Sequence, residues 1–158
     1  MRRVKQIRLL LAVSLIVLTA LLLKPAAAEE MNQPILLSGE EIVWTDGPAS
    51  MPPGTKMAIL EGDLKKPGPV TVRFKVPADA VIAPHTHPGI ERVTVLSGTL
   101  YFGAGETADE SRVSALTPGS FIVMPARHPM YAYTTLEETV IQLNVEGPWG
   151  ITFLDTAG

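Results

Sequence analysis

Residues 70–76 read Val-Thr-Val-Arg-Phe-Lys-Val. Every second side chain is apolar and those between are polar or charged, which is the pattern of a strand with one buried face. Arg73 and Lys75 then face solvent. The run begins behind the turn Lys65-Lys66-Pro67-Gly68-Pro69 and stops at Pro77. The same punctuation continues along the chain. Short apolar runs at 57–60, 81–87, 92–96, 99–102, 113–116, 121–124, 129–133, 139–145 and 151–154 are separated by breaks rich in Gly, Pro and Asp. Proline interrupts helices and central strands alike, so a chain broken this often is expected to fold as short strands joined by turns, spaced as in a sandwich or barrel. Ser97-Gly98, between two such runs, predicts a two-residue hairpin. Residues 103–110 read as a polar, acidic turn. No amphipathic helical period and no internal repeat follow residue 28. The expectation is one all-β domain over 57–158, preceded by an arm and loop over 29–56. Within that stretch 29–37 reads as a loose arm or edge strand, and 47–54, with three prolines, as a loop.

The first 28 residues have a different character. Arg2, Arg3, Lys5 and Arg8 make a basic start, residues 9–23 carry no charge, and Pro25-Ala26-Ala27-Ala28 supplies small residues before Glu29. That order predicts a secretory signal peptide over 1–28, cleaved after Ala28. As a helix the uncharged run would be about 22 Å long, short of the roughly 30 Å of a bilayer core. An uncleaved anchor is the alternative, favoured by Lys24 directly after the run. The expected location is periplasmic or secreted, with no stable membrane association after cleavage.

Removing that segment changes the charge. The chain has 13 Lys and Arg against 16 Asp and Glu; five of the basic residues and none of the acidic ones lie in 1–28. Eight basic and sixteen acidic residues remain, a net charge of −8. Such a surface repels phosphate backbones and disfavours nucleic acid as a partner, and it offers no basic patch to an anionic membrane. The absence of cysteine excludes disulfides, thiolate nucleophiles and thiolate metal sites. Stability must come from the core, which about 130 residues can provide. Phosphate-binding glycine loops and serine nucleophile elbows are also missing.

Three histidines remain: His85, His87 and His128. His85 and His87 stand at i and i+2 on a predicted strand, so their side chains leave one face about 6.6–6.8 Å apart at the backbone. Two imidazoles at that spacing can converge on one ion. Glu91 shares an apolar stripe with Val93 and Val95, and a buried carboxylate needs a partner or an ion. Two neutral imidazoles and a carboxylate suit one divalent transition metal ion: Fe, Mn, Cu, Ni, Co or Zn.

His85-Thr86-His87, three residues, Glu91, six residues, Gly98 resembles the first sequence motif of the cupin superfamily position for position. Gly119, five residues, Pro125 resembles the opening of the second. The resemblance extends over about residues 70–145. It implies a double-sheet jelly-roll β-barrel with His85, His87 and Glu91 as metal ligands inside it. It also implies a small-molecule ligand or substrate and a homodimer paired through edge strands.

The second motif departs from the family pattern. Where the family usually places a histidine ligand stands Met130, and the family's later asparagine falls on Thr134. Three readings remain for the fourth ligand. Met130 fills it with a thioether, which favours copper; His128 reaches in from the turn; or three protein ligands leave a position to water or substrate. Met130 as plain core filler is the competing reading. Arg127 and His128 are either a charged turn or the contacts of an acidic ligand, with His128 as a candidate acid or base. Gln142 and Asn144 share one face of their strand, which is either solvated or lines the cavity. Trp44 and Trp149 read as packing residues, Tyr131 and Tyr133 as sheet surface. The function implied is a metal-dependent dioxygenase, isomerase or lyase on a small organic molecule, or a non-catalytic module binding a small molecule or copper.

Overall fold

A computed structural model describes residues 33–154; the predicted signal segment lies outside the described residues. The strands belong to a compact unit that begins at Leu36. They are β1 (Thr45–Asp46), β2 (Lys56–Glu61), β3 (Gly68–Val76), β4 (Val81–Thr86), β5 (Glu91–Ser97), β6 (Leu100–Ala104), β7 (Ser114–Leu116), β8 (Phe121–Met124), β9 (Met130–Tyr133), β10 (Thr139–Gly147) and β11 (Thr152–Phe153). One sheet has six strands in the order β1-β2-β3-β10-β5-β8, the other five in the order β11-β4-β9-β6-β7. All pairings are antiparallel. This is the expected all-β, double-sheet barrel. Among the described residues the one helical element is a 3₁₀ turn over Glu110–Arg112, capped by the Asp109 side chain. No described helix is long and apolar enough to cross a membrane.

The alternation seen in the sequence is the alternation of burial. Val70, Val72, Phe74 and Val76 are almost wholly buried. They face Val93, Val95, Ile141, Leu143 and Val145 of their own sheet and Ile82, Leu100 and Ala132 of the other. Burying each aliphatic side chain contributes about 1.5–3 kcal/mol before entropy is counted. On the outer face Arg73 Nε donates to Gln142 Oε1 (2.9 Å) across the β3–β10 ladder.

Two expectations change. Ser97-Gly98 is no hairpin, because β5 and β6 lie in different sheets. The turn carries the chain over the barrel corner, at Gly98 with φ 72. A Cβ there would come within 2.6 Å of the Glu138 carbonyl oxygen, so only glycine passes. The stretch before residue 57 also contributes to the barrel: β1 pairs with β2, and Met51 is buried in the core. The arm residues Leu36 and Val43, in contrast, are exposed and outside any strand.

Candidate metal centre

β4 brings His85 to the barrel interior, and His87 follows one residue after its end on the same face. Both are about 95 % buried, with their rings edge to face at 4.8 Å. His85 Nδ1 bonds to the Ala83 carbonyl (2.7 Å) and His87 Nδ1 to the Gly150 carbonyl (2.8 Å). A carbonyl only accepts, so each Nδ1 carries the proton and each Nε2 keeps its lone pair. Burial lowers the pKa of His85 and pushes that of His87 down to about 4, although the backbone bonds act the other way. Both rings are neutral at pH 7, with tautomer and protonation state set as metal ligation requires.

Glu91 opens β5 and is 3 % exposed. Burial pushes its carboxyl up to about 7, opposed by a hydrogen bond from Trp149. Trp149 Nε1 donates to Oε1, while Oε2 stands 3.4 Å from His87 Nε2. His87 is neutral, so this contact is no ion pair. A buried carboxylate without a cation is the costly arrangement that a proton or a metal ion relieves. As they stand, the three side chains line one cavity without closing a cage: among the described residues no three His, Asp or Glu form a cluster ready to hold an ion. One Glu91 oxygen is engaged by Trp149.

Met130 opens β9 directly opposite His85 in the β4–β9 ladder, is 4 % exposed and lines the same cavity. Met51 from the early loop and Trp149 from the last one complete this end of the wall. The cavity measures about 50 Å³, room for roughly three to five waters. It suits an ion with a few small ligands.

The remaining candidates lie elsewhere. His128 sits exposed in the turn after β8 and does not line the cavity. Gln142 is on the outer face, bonded to Arg73, while its neighbours Ile141 and Leu143 face inward; it is not a cavity residue. Thr134 is buried and structural, donating to the Pro77 carbonyl (2.6 Å) and accepting from Ala80 N–H (3.0 Å). Arg127 is exposed, but its backbone N–H donates to the His87 carbonyl (2.8 Å). It lines an outer cleft of about 570 Å³ that shares His87, Trp149 and Ile151 with the inner cavity.

Trp149 is the cavity residue that sequence reasoning missed. Its ring stacks on His87 at 5.2 Å and leans on Phe74 at 5.9 Å. The signal available was a tryptophan N–H in a Gly-Pro-Trp-Gly loop just before the last strand. Its use required knowing that this loop returns across the end of the barrel.

Comparison with solved structures supports the architecture. The polyketide cyclase RemF from Streptomyces resistomycificus superposes with a TM-score of 0.63 at 17 % identity, over 78 % of this chain and 89 % of that one. KdgF from Halomonas sp. gives 0.55 at 22 %, over 73 % and 96 %. A cupin-2 domain protein from Rhodospirillum rubrum gives 0.58 at 13 %, over 79 % and 82 %. At these identities the likeness is one of fold. Comparison with curated proteins finds no match. The family model for the ChrR cupin-like domain, however, matches residues 21–140, so the chain belongs to the ChrR cupin-like family of the cupin superfamily.

Proposed function

We propose that this protein binds one divalent transition metal ion through His85, His87 and Glu91, with Met130 on the fourth side, and acts on a small organic molecule there. One observation carries the reading. Two buried, neutral imidazoles present Nε2 lone pairs to the cavity that holds an uncompensated buried carboxylate. That donor set fits Fe, Mn, Ni, Cu or Zn. When bound, the ion would supply a Lewis-acid centre for a substrate oxygen. The chain's own residues do the rest: carbonyl bonds fix both rings, Trp149 holds the carboxylate, and the cavity walls are mostly apolar. RemF, a polyketide cyclase, shows that this fold can host chemistry on organic molecules.

A second reading, metal binding without turnover, is favoured by the small size of the cavity and by the thioether beside it. Copper would then be the expected ion. The N-terminal charge pattern supports a periplasmic or secreted location, and exposed Phe121 and Val123 on edge strand β8 are consistent with a homodimer.

The test is metal content by elemental mass spectrometry on untagged protein from the periplasm, with His85→Ala beside it. The expected result is a near-stoichiometric ion, lost in the variant. No ion, and none taken up on titration, overturns the assignment.

A further inference from the structure

We propose that the outer cleft beside His87 and Trp149 is a binding site for a small organic carboxylate, with Arg127 as its counter-charge. The proposal names the ligand class for the small-molecule part of the reading above. Its evidence is separate.

Pro125 to His128 form a turn, closed by the His128 N–H on the Pro125 carbonyl (3.2 Å). Arg127 is its third residue, with φ 60, while Ala126 is not among the positive-φ residues. This is the third position of a type II turn, which glycine fills without strain and a long side chain does not. A strained residue beside a site is a reason to look for what its side chain does.

The backbone of Arg127 is fastened to the His87 carbonyl, so the turn is anchored to the strand end that carries the histidines. Among the described residues its guanidinium has no carboxylate partner. The ion pairs among the described residues are Lys56 with Asp46 and Lys66 with Asp63, besides the His87–Glu91 contact.

The cleft explains the arrangement. Among the described residues Arg127 is the one formal charge on its lining and no acidic residue lines it, and Trp149 and Ile151 give it an apolar wall. A single planar fork of donors matches one carboxylate, whereas a phosphate dianion calls for more cationic donors than this cleft has. The ligand therefore has one carboxylate and a compact apolar or aromatic body. The wall it rests on is the His87–Trp149 stack that bounds the inner cavity.

The probe is benzoate, with benzamide as its neutral counterpart and sulfate as an anion without the apolar body. The readout is NMR of the two tryptophan indole N–H resonances. Trp44, under the Lys75 ammonium, serves as internal control. Benzoate is expected to shift the Trp149 resonance and leave Trp44 in place. Arg127→Gln should weaken benzoate about ten- to a hundredfold and leave benzamide unchanged. Arg127→Lys should retain more affinity than Arg127→Gln. An unshifted Trp149 resonance in each unliganded variant shows that the fold is intact. Equal binding of benzoate and benzamide, binding of sulfate as tight as that of benzoate, an unaffected Arg127→Gln variant, or no response of Trp149 would each overturn the site. Elemental analysis of the same samples separates this from the metal reading. Arg127-dependent benzoate binding in a protein that takes up no metal keeps the cleft and removes the ion. A metal-loaded protein that ignores benzoate does the reverse.

Discussion

The indole N–H of Trp149 donates to Oε1 of Glu91 while the same ring stacks on His87, so one aromatic side chain holds two of the three candidate ligands. The loop that carries it also supplies the Gly150 carbonyl to His87 Nδ1. Trp149→Phe keeps the stack and removes the donor. The expected outcome is a ten- to hundredfold loss of metal affinity by titration, the scale of effect for groups that orient ligands. Stability should fall by about 1–2 kcal/mol, as for a lost hydrogen bond to a buried acid. Because the indole lowers the Glu91 pKa, the Glu91 carboxyl carbon should titrate at higher pH in the variant by NMR. An unchanged titration would remove Trp149 from this role.

In the metal-free protein the two buried groups should oppose each other in pH-dependent stability. Glu91 is raised from 4.5 to about 7. The native state therefore holds this proton more tightly than the unfolded chain, and the stability it contributes is full below pH 4.5 and lost as pH rises toward 7. His87 is lowered from 6.5 to about 4. Its contribution is full above pH 6.5 and lost as pH falls toward 4. Between 4.5 and 6.5 these two slopes oppose each other, and His85, also lowered by burial, adds to the slope of His87. Glu91→Gln removes the first, so its melting temperature should rise with pH over this window more steeply than that of the wild type. At pH 7.5 the variant should also be the more stable protein. A flat profile for Glu91→Gln would contradict the assignment.

Met130 faces His85 across the β4–β9 ladder. If its thioether points at the ion, Met130→His should raise affinity for iron or manganese and lower any preference for copper. Competitive loading with elemental analysis reads this directly. Met130 as core filler gives a different result: unchanged selectivity and a stability loss of about 1–3 kcal/mol from the imidazole placed in an apolar site.

The parts of this molecule that were legible in its sequence are those set by local spacing. Val70 to Val76 alternate in the sequence and in the barrel because the pleat repeats every two residues. His85, His87 and Glu91 line one cavity because they lie within seven residues around one turn. The Ser97-Gly98 turn was misread because a corner crossing and a hairpin make the same demand on glycine; the partners of β5 are β8 and β10, both farther along the chain. Trp149 and Met51 were not legible as cavity residues for the same reason. The bond from Trp149 to Glu91 spans 58 residues, and nothing in a one-dimensional pattern says where a returning loop lands. Gln142 was ambiguous because both faces of β10 carry side chains that can fill a cavity. Arg73 on the neighbouring strand resolves it by holding Gln142 on the outside.

Arg127 should be a stability cost that its position near the site explains. A side chain in the left-handed region is disfavoured by about 1–2 kcal/mol, and glycine recovers most of this, less its own entropy in the unfolded chain. Arg127→Gly keeps the backbone N–H that reaches the His87 carbonyl, and no ion pair among the described residues is lost with the guanidinium. The variant should therefore be more stable than the wild type by about 1 kcal/mol in thermal or denaturant unfolding, with unchanged metal content. Lower stability would show that the guanidinium makes a structural contact that outweighs the strain. The residue would then belong to the architecture of the turn and not to the cleft.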